Sequence, residues 1–500
     1  MPISCQLLVS SLALIAAVAV IAIPLGSLLA VVVFRIRLAF PRVLVHLLVA
    51  QTLTPLVILA GAWQAGFGLA GWWTLQQPGT VWLDGWRGAI WIHALAAIPV
   101  VALIVGLGLR RVDAELEERA LLTLSPRRVL AQVTLPQIVA WLALAVLWIA
   151  ITVGGEMTVT DFFQVRTFAE ELYTQATIGT FDDLPLTAGP LLLTALVLVA
   201  VSLFVVGRWM PERREVDARG AVLFPLGRMG RWLVVVGVLL TVLVTVVVPF
   251  GNLLWKAGVL VMSTEAGRVR SWSLIKCVSV VVSSPWRYRQ EIGWSTLLAT
   301  LTAVTSVTIA WPLAWSMRVR RTSPQIAWSF MGLLAAVPGP VLGLSLIAIL
   351  NQPAIPGFTW LYDRTPVAPW LAHTLRAIPW TWMLAWSACH TIPDEVVDRV
   401  RLGGWGQFAA LRQVVWPSQH GVLLASAVVA AIVSWGDVAG SILVLPPGIM
   451  TLSVRVFGLL HYGVEDEVAG ICVAQSVIMV LLSIGIVRLI GPLISERDPR

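Results

Sequence analysis

Two histidines and two carboxylates recur in this chain at a nearly constant spacing. His93 and His373 each begin a His-x-Leu-x-Ala-Ile-Pro motif, and Glu156 and Asp437, separated by almost the same interval, each follow a glycine. All four lie in apolar stretches, where ionisable side chains are costly and therefore candidates for function. Carboxylates there would suit a cationic substrate, and a histidine pair would suit a metal ion. The alternatives are helix capping or an ion pair with Arg376 for the carboxylates, and hydrogen bonds beside a proline kink for the histidines.

Two charged segments between apolar stretches have the composition of docking elements for a soluble partner. They run from Glu115 to Pro136 and from Ile392 to Pro417, and the interval between the closing prolines equals that between the two carboxylates. Each begins with acidic residues, which the dipole of a helix N-terminus favours. Ser125-Pro126 interrupts the first segment and Gly403-Gly404 the second, so each is predicted to form a cytoplasmic helix–turn–helix. The alternative is that each segment is a loop that merely joins two helices. The presence of two copies in register makes this alternative the weaker of the two.

Several catalytic and nucleotide-binding motifs are absent from the sequence. It contains no G-x-x-x-x-G-K-[ST] loop that could hold phosphates, and no H-E-x-x-H or G-x-S-x-G motif. The four cysteines show no C-x-x-C spacing, so neither a metal knuckle nor a redox pair is indicated. The chain is therefore not expected to be an enzyme or an ATPase. An intramembrane enzyme that uses the four recurrent ionisable residues is the least favoured interpretation.

The composition is that of an all-α, polytopic membrane protein. Of 500 residues, 58% are hydrophobic and 12% charged, and the mean hydropathy is +0.88; soluble domains average about 25% charged residues. About 20 apolar residues cross a bilayer as a helix. On this basis about eleven transmembrane helices are predicted: Leu8–Phe34, Val43–Ala70, Gly88–Leu109, Ile138–Val159, Thr187–Val206, Trp232–Leu254, Trp294–Met317, Ile326–Leu350, Val367–Cys389, Val422–Val444 and Val468–Ile490. Pro55 and Pro338 are expected to kink their helices.

The distribution of arginines predicts the orientation in the membrane. Basic residues cluster in alternate loops, which favours a cytoplasmic location for those loops. The N-terminus is then outside and the C-terminus cytoplasmic, in the plasma membrane of a prokaryote. The loop 258–293 is predicted to be external although it carries five basic residues, with Ser273–Val282 lying on the membrane surface as an alternative to crossing it. Because the basic residues lie in short loops and form no single soluble face, nucleic-acid binding is not expected.

The repeated motifs predict an internal duplication. One constant shift in the numbering aligns predicted helices one to five with helices seven to eleven, and an even number of helices separates equivalent points. The two copies are therefore parallel, unlike the inverted repeats of many secondary transporters. The predicted domains are residues 1–210 and 232–500, joined by an arginine-rich cytoplasmic linker, 211–231. Helix Trp232–Leu254 belongs to neither copy and is an extra leading helix of the second domain.

The charged segments resemble the E-A-A…G…L-P cytoplasmic loop of ABC importer permeases, the binding-protein-dependent inner-membrane components. In that family the loop forms a coupling helix seated in a groove of the ATPase subunit. Glu117 and Asp398 stand equally far before their prolines, as the acidic anchors would. The family glycine is present at Gly404 and replaced by Thr123 in the first copy. The resemblance implies a coupling role for Glu117, Pro136, Asp398, Gly404 and Pro417.

The resemblance covers nearly the whole chain. Two permease domains in one polypeptide are similar to the ferric-iron and thiamine importer permeases, and Val165–Tyr173 and Pro446–Gly463 look most like the ferric-iron branch. This implies a transport subunit without a cofactor of its own, two ATP-binding ABC subunits on the cytoplasmic face, and an external substrate-binding protein. The cargo would be a small solute, with ferric iron as one candidate. The alternative is a secondary transporter driven by an ion gradient, in which Glu156 and Asp437 bind the proton or cation.

Overall fold

The computed structural model describes residues 3–495 except for 39, 77–80, 180–188, 190–192, 195, 198–199, 202–223, 225–226, 265–266, 321–324, 353 and 464–465. Within this part, six helices are long and apolar enough to cross a membrane, or up to nine if each of three bent helix pairs counts as one span. The prediction of a helical, polytopic chain is thereby confirmed. Besides the helices, strands Val259–Thr264 and Gly267–Trp272 pair as an antiparallel hairpin, which the sequence analysis did not predict.

The helices fall into two series on either side of residue 228. The N-terminal series consists of Ile3–Arg35, Pro41–Leu53, Leu56–Phe67, Gly85–Leu109, Ala114–Leu121, Pro126–Gln137, Val139–Gly154, Thr158–Phe162 and Phe168–Ile178. The C-terminal series consists of Arg228–Gly258, Leu274–Arg287, Arg289–Arg320, Gln325–Ala336, Gly339–Leu350, Phe358–Arg364, Val367–Thr391, Asp394–Leu402, Gln407–Gly436, Leu452–Leu460 and Asp466–Ser495. We call these the first and second halves. The predicted helix Thr187–Val206 and linker 211–231 lie largely outside the described residues.

Two of the predicted spans are each broken into a pair of helices. The axis turns by 96° between Pro41–Leu53 and Leu56–Phe67, and by 98° between Gln325–Ala336 and Gly339–Leu350. Pro55 and Pro338 stand at the breaks in extended conformation. A proline lacks the N–H that continues a helix and restricts the residue before it, so each break follows from one residue. The predicted helix Val422–Val444 also ends early, at Gly436.

Each half is organised around one long helix. Ile3–Arg35 packs against Gly85–Leu109 and Val139–Gly154, and Arg289–Arg320 packs against Val367–Thr391 and Gln407–Gly436. Close approach in the first half depends on glycine, since a Cβ on Gly106 would stand 2.2 Å from the ring of Phe34. The core of the second half is instead filled by large rings, including the fully buried Trp311, Trp315 and Trp382.

The two halves contact each other through their broken helices. Gly339–Leu350 of the second half packs against Phe168–Ile178, and Leu56–Phe67 of the first half packs against Leu452–Leu460. Two further contacts join Gln325–Ala336 to Val139–Gly154 and Pro41–Leu53 to the helix that ends at Gly436. The segment Val248–Gly258 packs on Leu56–Phe67 as well as on Asp466–Ser495.

The basic loop after Gly258 folds against the N-terminus of the last helix. Its helix Leu274–Arg287 packs on Asp466–Ser495. Lys276 Nζ lies 2.6 Å from Asp466 Oδ2, and Arg287 forms an ion pair with Glu467. Asp466 and Glu467 therefore neutralise two of the basic residues of this loop.

Candidate docking segments and a buried charge network

Glu117 of the first docking segment is held inside the protein. Its Oε2 lies 2.7 Å from Arg35 Nη1, and both side chains are fully buried. The hydroxyl of Thr134 donates a hydrogen bond to the other carboxylate oxygen, and Arg35 Nη2 donates to the carbonyl of Leu109 at 2.6 Å. Glu117 therefore ties helix Ala114–Leu121 to the end of helix Ile3–Arg35. Its predicted coupling role can act only through this positioning, because its side chain does not reach the surface.

The second docking segment is tied down by a different acid. Arg318, at the end of helix Arg289–Arg320, pairs with Asp394 and donates to the carbonyl of Ile392 at 3.3 Å. Asp398, the residue that aligns with Glu117, is about half-exposed and lies 3.3 Å from Arg401 of its own helix. Arg35 and Arg318 are separated by nearly the same interval as the other recurrent residues. Charge bias alone would place both arginines in loops, and their recurrence is the sequence signal for a shared buried role.

The turns of both docking segments expose apolar side chains. Leu122 is 86% exposed and Leu402 is 89% exposed. Gly404 follows with φ of +63°, a left-handed conformation that ends helix Asp394–Leu402 and that glycine adopts without strain. Among the described residues, no atom outside its chain neighbours lies within 4 Å of a Cβ built on Gly404. Each segment thus presents a fixed arm with an apolar tip.

The prolines that close the segments mark a break before the following span. Pro136 and Pro417 lie in helical turns that include a π turn, Leu130–Thr134 and Leu411–Val415. Shortly after them, Ile138 (φ −102°, ψ 5°) and Gln419 (φ −120°, ψ 21°) leave helical geometry. In the first half the helix axis turns by 65° at this point. The first docking segment is therefore set off from the following span by a bend, and the second by one non-helical residue, Gln419, within helix Gln407–Gly436.

Glu156 caps a short helix and faces His93. Its carboxylate accepts hydrogen bonds from the backbone N–H groups of Thr158 at 2.6 Å and Val159 at 2.9 Å. Such a cap satisfies N–H groups that the first turn of a helix leaves free. Glu156 Oε2, the oxygen that accepts from Val159, lies 3.6 Å from His93 Nε2. The imidazole of His93 is almost fully buried.

Asp437 is paired with a basic residue and faces His373. Arg376 Nε lies 2.8 Å from Asp437 Oδ1, while His373 Nε2 lies 3.7 Å from Asp437 Oδ2. The other ring nitrogen of His373 is 2.7 Å from Ser434 Oγ. We call His93, Glu156, Arg376, Asp437 and His373 the charge network.

The charge network is not arranged as a metal site. In the part of the chain that the structure describes, no group of three or more His, Cys, Asp or Glu side chains could hold a metal ion. The two histidines each face a carboxylate of their own half. Among these residues, the two histidines therefore do not belong to one shared set of metal ligands.

A second ionic contact joins the halves outside the membrane-spanning helices. His461, after helix Leu452–Leu460, places Nε2 3.0 Å from Asp161 Oδ2 of the first half. The hydrogen bond to Asp161 raises the pKa of His461, and partial burial opposes this more weakly. Protonation of the His461 ring therefore strengthens its contact with Asp161.

The sign of the His461 shift predicts that this contact stabilises the protein at low pH. Its contribution is complete below the ordinary histidine pKa of about 6.5 and is lost as pH rises through the folded-state value. His461→Gln should thus lower the unfolding temperature more at about pH 5.5 than at about pH 8. Thermal unfolding in detergent measures this, with His420→Gln as control. An equal loss at both pH values would contradict it.

Compared with models of known protein families and with curated proteins, the chain matches none. Neither comparison assigns it a function. The docking segments and the charge network, with the contacts given above, are the features from which a function is inferred.

Proposed function

We propose that this chain is the membrane permease of an ATP-driven importer. The observation that carries the proposal is the pair of docking segments. Each is anchored to a long apolar helix by a buried or nearly buried arginine, and each presents a leucine at least 86% exposed. An exposed apolar tip on a charged, rigidly held arm is suited to insertion into a groove of another protein. A chain that carries two such arms and no phosphate-binding loop would take its energy from separate ATPase subunits.

Repeated contacts support a parallel duplication of the chain. Ser11 Oγ accepts from Phe168 N at 3.1 Å, and Ser295 Oγ accepts from Leu452 N at 2.8 Å, each pair being 157 residues apart. The two histidine–carboxylate distances, 3.6 and 3.7 Å, form a second such match. Eleven spans in two bundles, five of them in each repeat, would follow from this duplication.

The contacts between the halves are reciprocal, as a two-fold relation between them would require. A Cβ on Gly155 would stand 3.4 Å from Pro338 Cα, and a Cβ on Gly436 would stand 3.2 Å from Pro55 Cγ. These glycines directly precede Glu156 and Asp437. The proposed translocation path accordingly runs between the halves, past the charge network, and it would open when the docking segments move.

The partners proposed are two ABC ATPase subunits on the cytoplasmic face, in a prokaryotic plasma membrane, and an external binding protein at the opposite face. The cargo is a small solute, and ferric iron is the one that the family resemblance suggests. Copurification with an ATPase that carries a P-loop, together with uptake that requires ATP, would support the proposal. Uptake that survives ATP depletion but stops when the proton gradient is dissipated would contradict it and favour a secondary transporter.

The exposed leucines give a prediction about partner binding. Leu402→Ser and Leu122→Ser should leave the stability of the chain within about 0.5 kcal/mol, because little of either side chain is buried. Each should weaken ATPase binding by about 1–2 kcal/mol, which is roughly five- to thirtyfold in affinity. The measurement is copurified ATPase per permease. Leu69→Ser, at a leucine 77% exposed outside the docking segments, is the control, and an equal loss in all three variants would contradict the prediction.

A further inference from the structure

The charge network crosses the boundary between the halves. His93 and Glu156 belong to the first half, and Arg376, Asp437 and His373 belong to the second. Arg376 is paired with Asp437 at 2.8 Å. Across the boundary, a Cβ on Gly155, the residue before Glu156, would stand 3.4 Å from Pro338 Cα. Within the second half, a Cβ on Gly339 would stand 2.5 Å from Ala439, two residues after Asp437. The Arg376 side chain is about one-third exposed, whereas that of Asp437 is almost fully buried. The Arg376–Asp437 pair therefore lies at the same part of the boundary as Glu156, and the guanidinium can be reached from outside the network.

Three buried atoms of the network have no hydrogen-bond partner among the residues that the structure describes. They are His93 Nε2, His373 Nε2 and Asp437 Oδ2. The distances of 3.6 and 3.7 Å between each imidazole and its carboxylate are too long for direct hydrogen bonds. Other buried side-chain atoms among the described residues also lack a partner, most of them indole N–H and hydroxyl groups. These three differ in that they lie beside Glu156 and Asp437, as expected where a ligand completes the arrangement.

The charge balance indicates the sign and size of that ligand. With neutral histidines, two carboxylates and one guanidinium leave a single net negative charge. The unpartnered carboxylate oxygen is an acceptor, and each imidazole nitrogen is an acceptor in the tautomer that leaves it unprotonated. A small cation with one positive charge and N–H donors would satisfy these atoms.

We propose, on the basis of the permease function above, that the cargo is a small organic monocation of the ammonium or guanidinium type, and that Arg376 occupies its place in the empty path. When the halves separate, Arg376 stays with Asp437, and Glu156 is exposed as a carboxylate without a counter-ion. The cargo then takes the position between the two acids. This differs from ferric iron, which would call for several ligands around one point.

The test uses the purified full-length chain and methylguanidinium, with its neutral analogue methylurea as matched probe. Arg376→Ala should create a vacant cation site. About 10 mM methylguanidinium should then raise the unfolding temperature of this variant by about 3 °C or more, and methylurea should not. Wild type, in which Arg376 fills the site, should respond to neither compound at this concentration.

Two double variants test whether acidic residues of both halves contribute to cation binding. The response of Arg376→Ala should be lost when either Glu156→Gln or Asp437→Asn is added. A response that disappears with Asp437→Asn but survives with Glu156→Gln would place the cation in the second half alone and overturn the proposal. Equal responses to methylguanidinium and methylurea would also overturn it.

Gly440→Ala provides a second route if Arg376→Ala does not fold. A Cβ at Gly440 would stand 2.9 Å from Arg376 Cδ and 2.8 Å from Asp437 Oδ2, so it should push the guanidinium away. The variant should gain a methylguanidinium response that Gly458→Ala, with open space around its Cβ among the described residues, does not gain. If Arg376→Ala folds, a lack of response in that variant refutes the proposal; if it does not fold, a lack of response in Gly440→Ala refutes it. These titrations need no ATPase, so their result is independent of ATP-dependent uptake. A negative titration with ATP-dependent uptake present would contradict the cargo proposal alone, and a positive titration without such uptake would contradict the importer proposal alone.

Discussion

Glu117→Gln is expected to lower the free energy of unfolding by about 3–5 kcal/mol, the largest loss predicted for a single change in this chain. The Arg35 guanidinium would remain fully buried without its carboxylate partner. Removal of one member of a buried ion pair leaves an uncompensated charge, which is worse than the absence of both. Thermal unfolding or titration with denaturing detergent, on the chain in mild micelles, measures the effect.

Two controls test whether the loss of stability in Glu117→Gln comes from the unpaired buried charge. The double variant Arg35→Met/Glu117→Leu replaces both charges by apolar groups of similar length and should recover much of the stability. Asp398→Asn changes the equivalent residue of the second segment, where the carboxylate is about half-exposed, and should cost less than about 1 kcal/mol. Equal losses in Glu117→Gln and Asp398→Asn would show that burial is not the deciding factor.

Gly404→Val is expected to reduce transport at least tenfold while the rest of the chain remains folded. The backbone at this residue has φ of +63°, which costs a β-branched residue more than the roughly 1–2 kcal/mol typical of other side chains. The turn beside Leu402 would change shape to relieve this strain. A docking loss of about 1.4 kcal/mol is about tenfold in affinity. The measurements are ATP-dependent uptake and copurified ATPase.

Gly404→Asn is the matched control for this turn, because asparagine tolerates the left-handed conformation better than other non-glycine residues. Most of the activity should be retained in this variant. Binding of the proposed external protein should be unchanged in both variants, since the proposed orientation places this turn at the opposite face of the membrane. Wild-type uptake in Gly404→Val would remove the second segment from the coupling mechanism.

Hydropathy predicted the long helices because a run of about 20 apolar residues is a local property of the sequence. It could not show that Val43–Ala70 and Ile326–Leu350 turn through nearly a right angle. A proline predicts a kink, but the angle depends on what packs against it, and here Gly155 and Gly436 lie against the two prolines. The hairpin after Gly258 was missed because its one apolar stretch, Val259–Met262, is short and closely follows the apolar run of the predicted helix Trp232–Leu254.

Only part of the candidate site could be predicted, because a contact between residues far apart in the sequence leaves no local signal. The repeat placed Glu156, Asp437 and the two histidines at corresponding positions, and each histidine does face its carboxylate. The partner of Glu117 was not predicted, because Arg35 lies 82 residues away and charge bias alone already explains an arginine at a helix end. The recurrence of this arginine at Arg318 was the signal that could have identified it. A motif alignment also treated Glu117 and Asp398 as the same kind of residue, although one is buried and the other is not.

Arg376 has no counterpart in the first half, where Ala96 occupies the equivalent position of the His-x-Leu-x-Ala-Ile-Pro motif. A homodimer encoded by one short gene would have to carry this arginine twice or lack it altogether. Two arginines would neutralise both acids, and none would leave both negative. On the proposed duplication, joining the two copies in a single polypeptide would free each to diverge, and an odd number of charges between the halves would become possible.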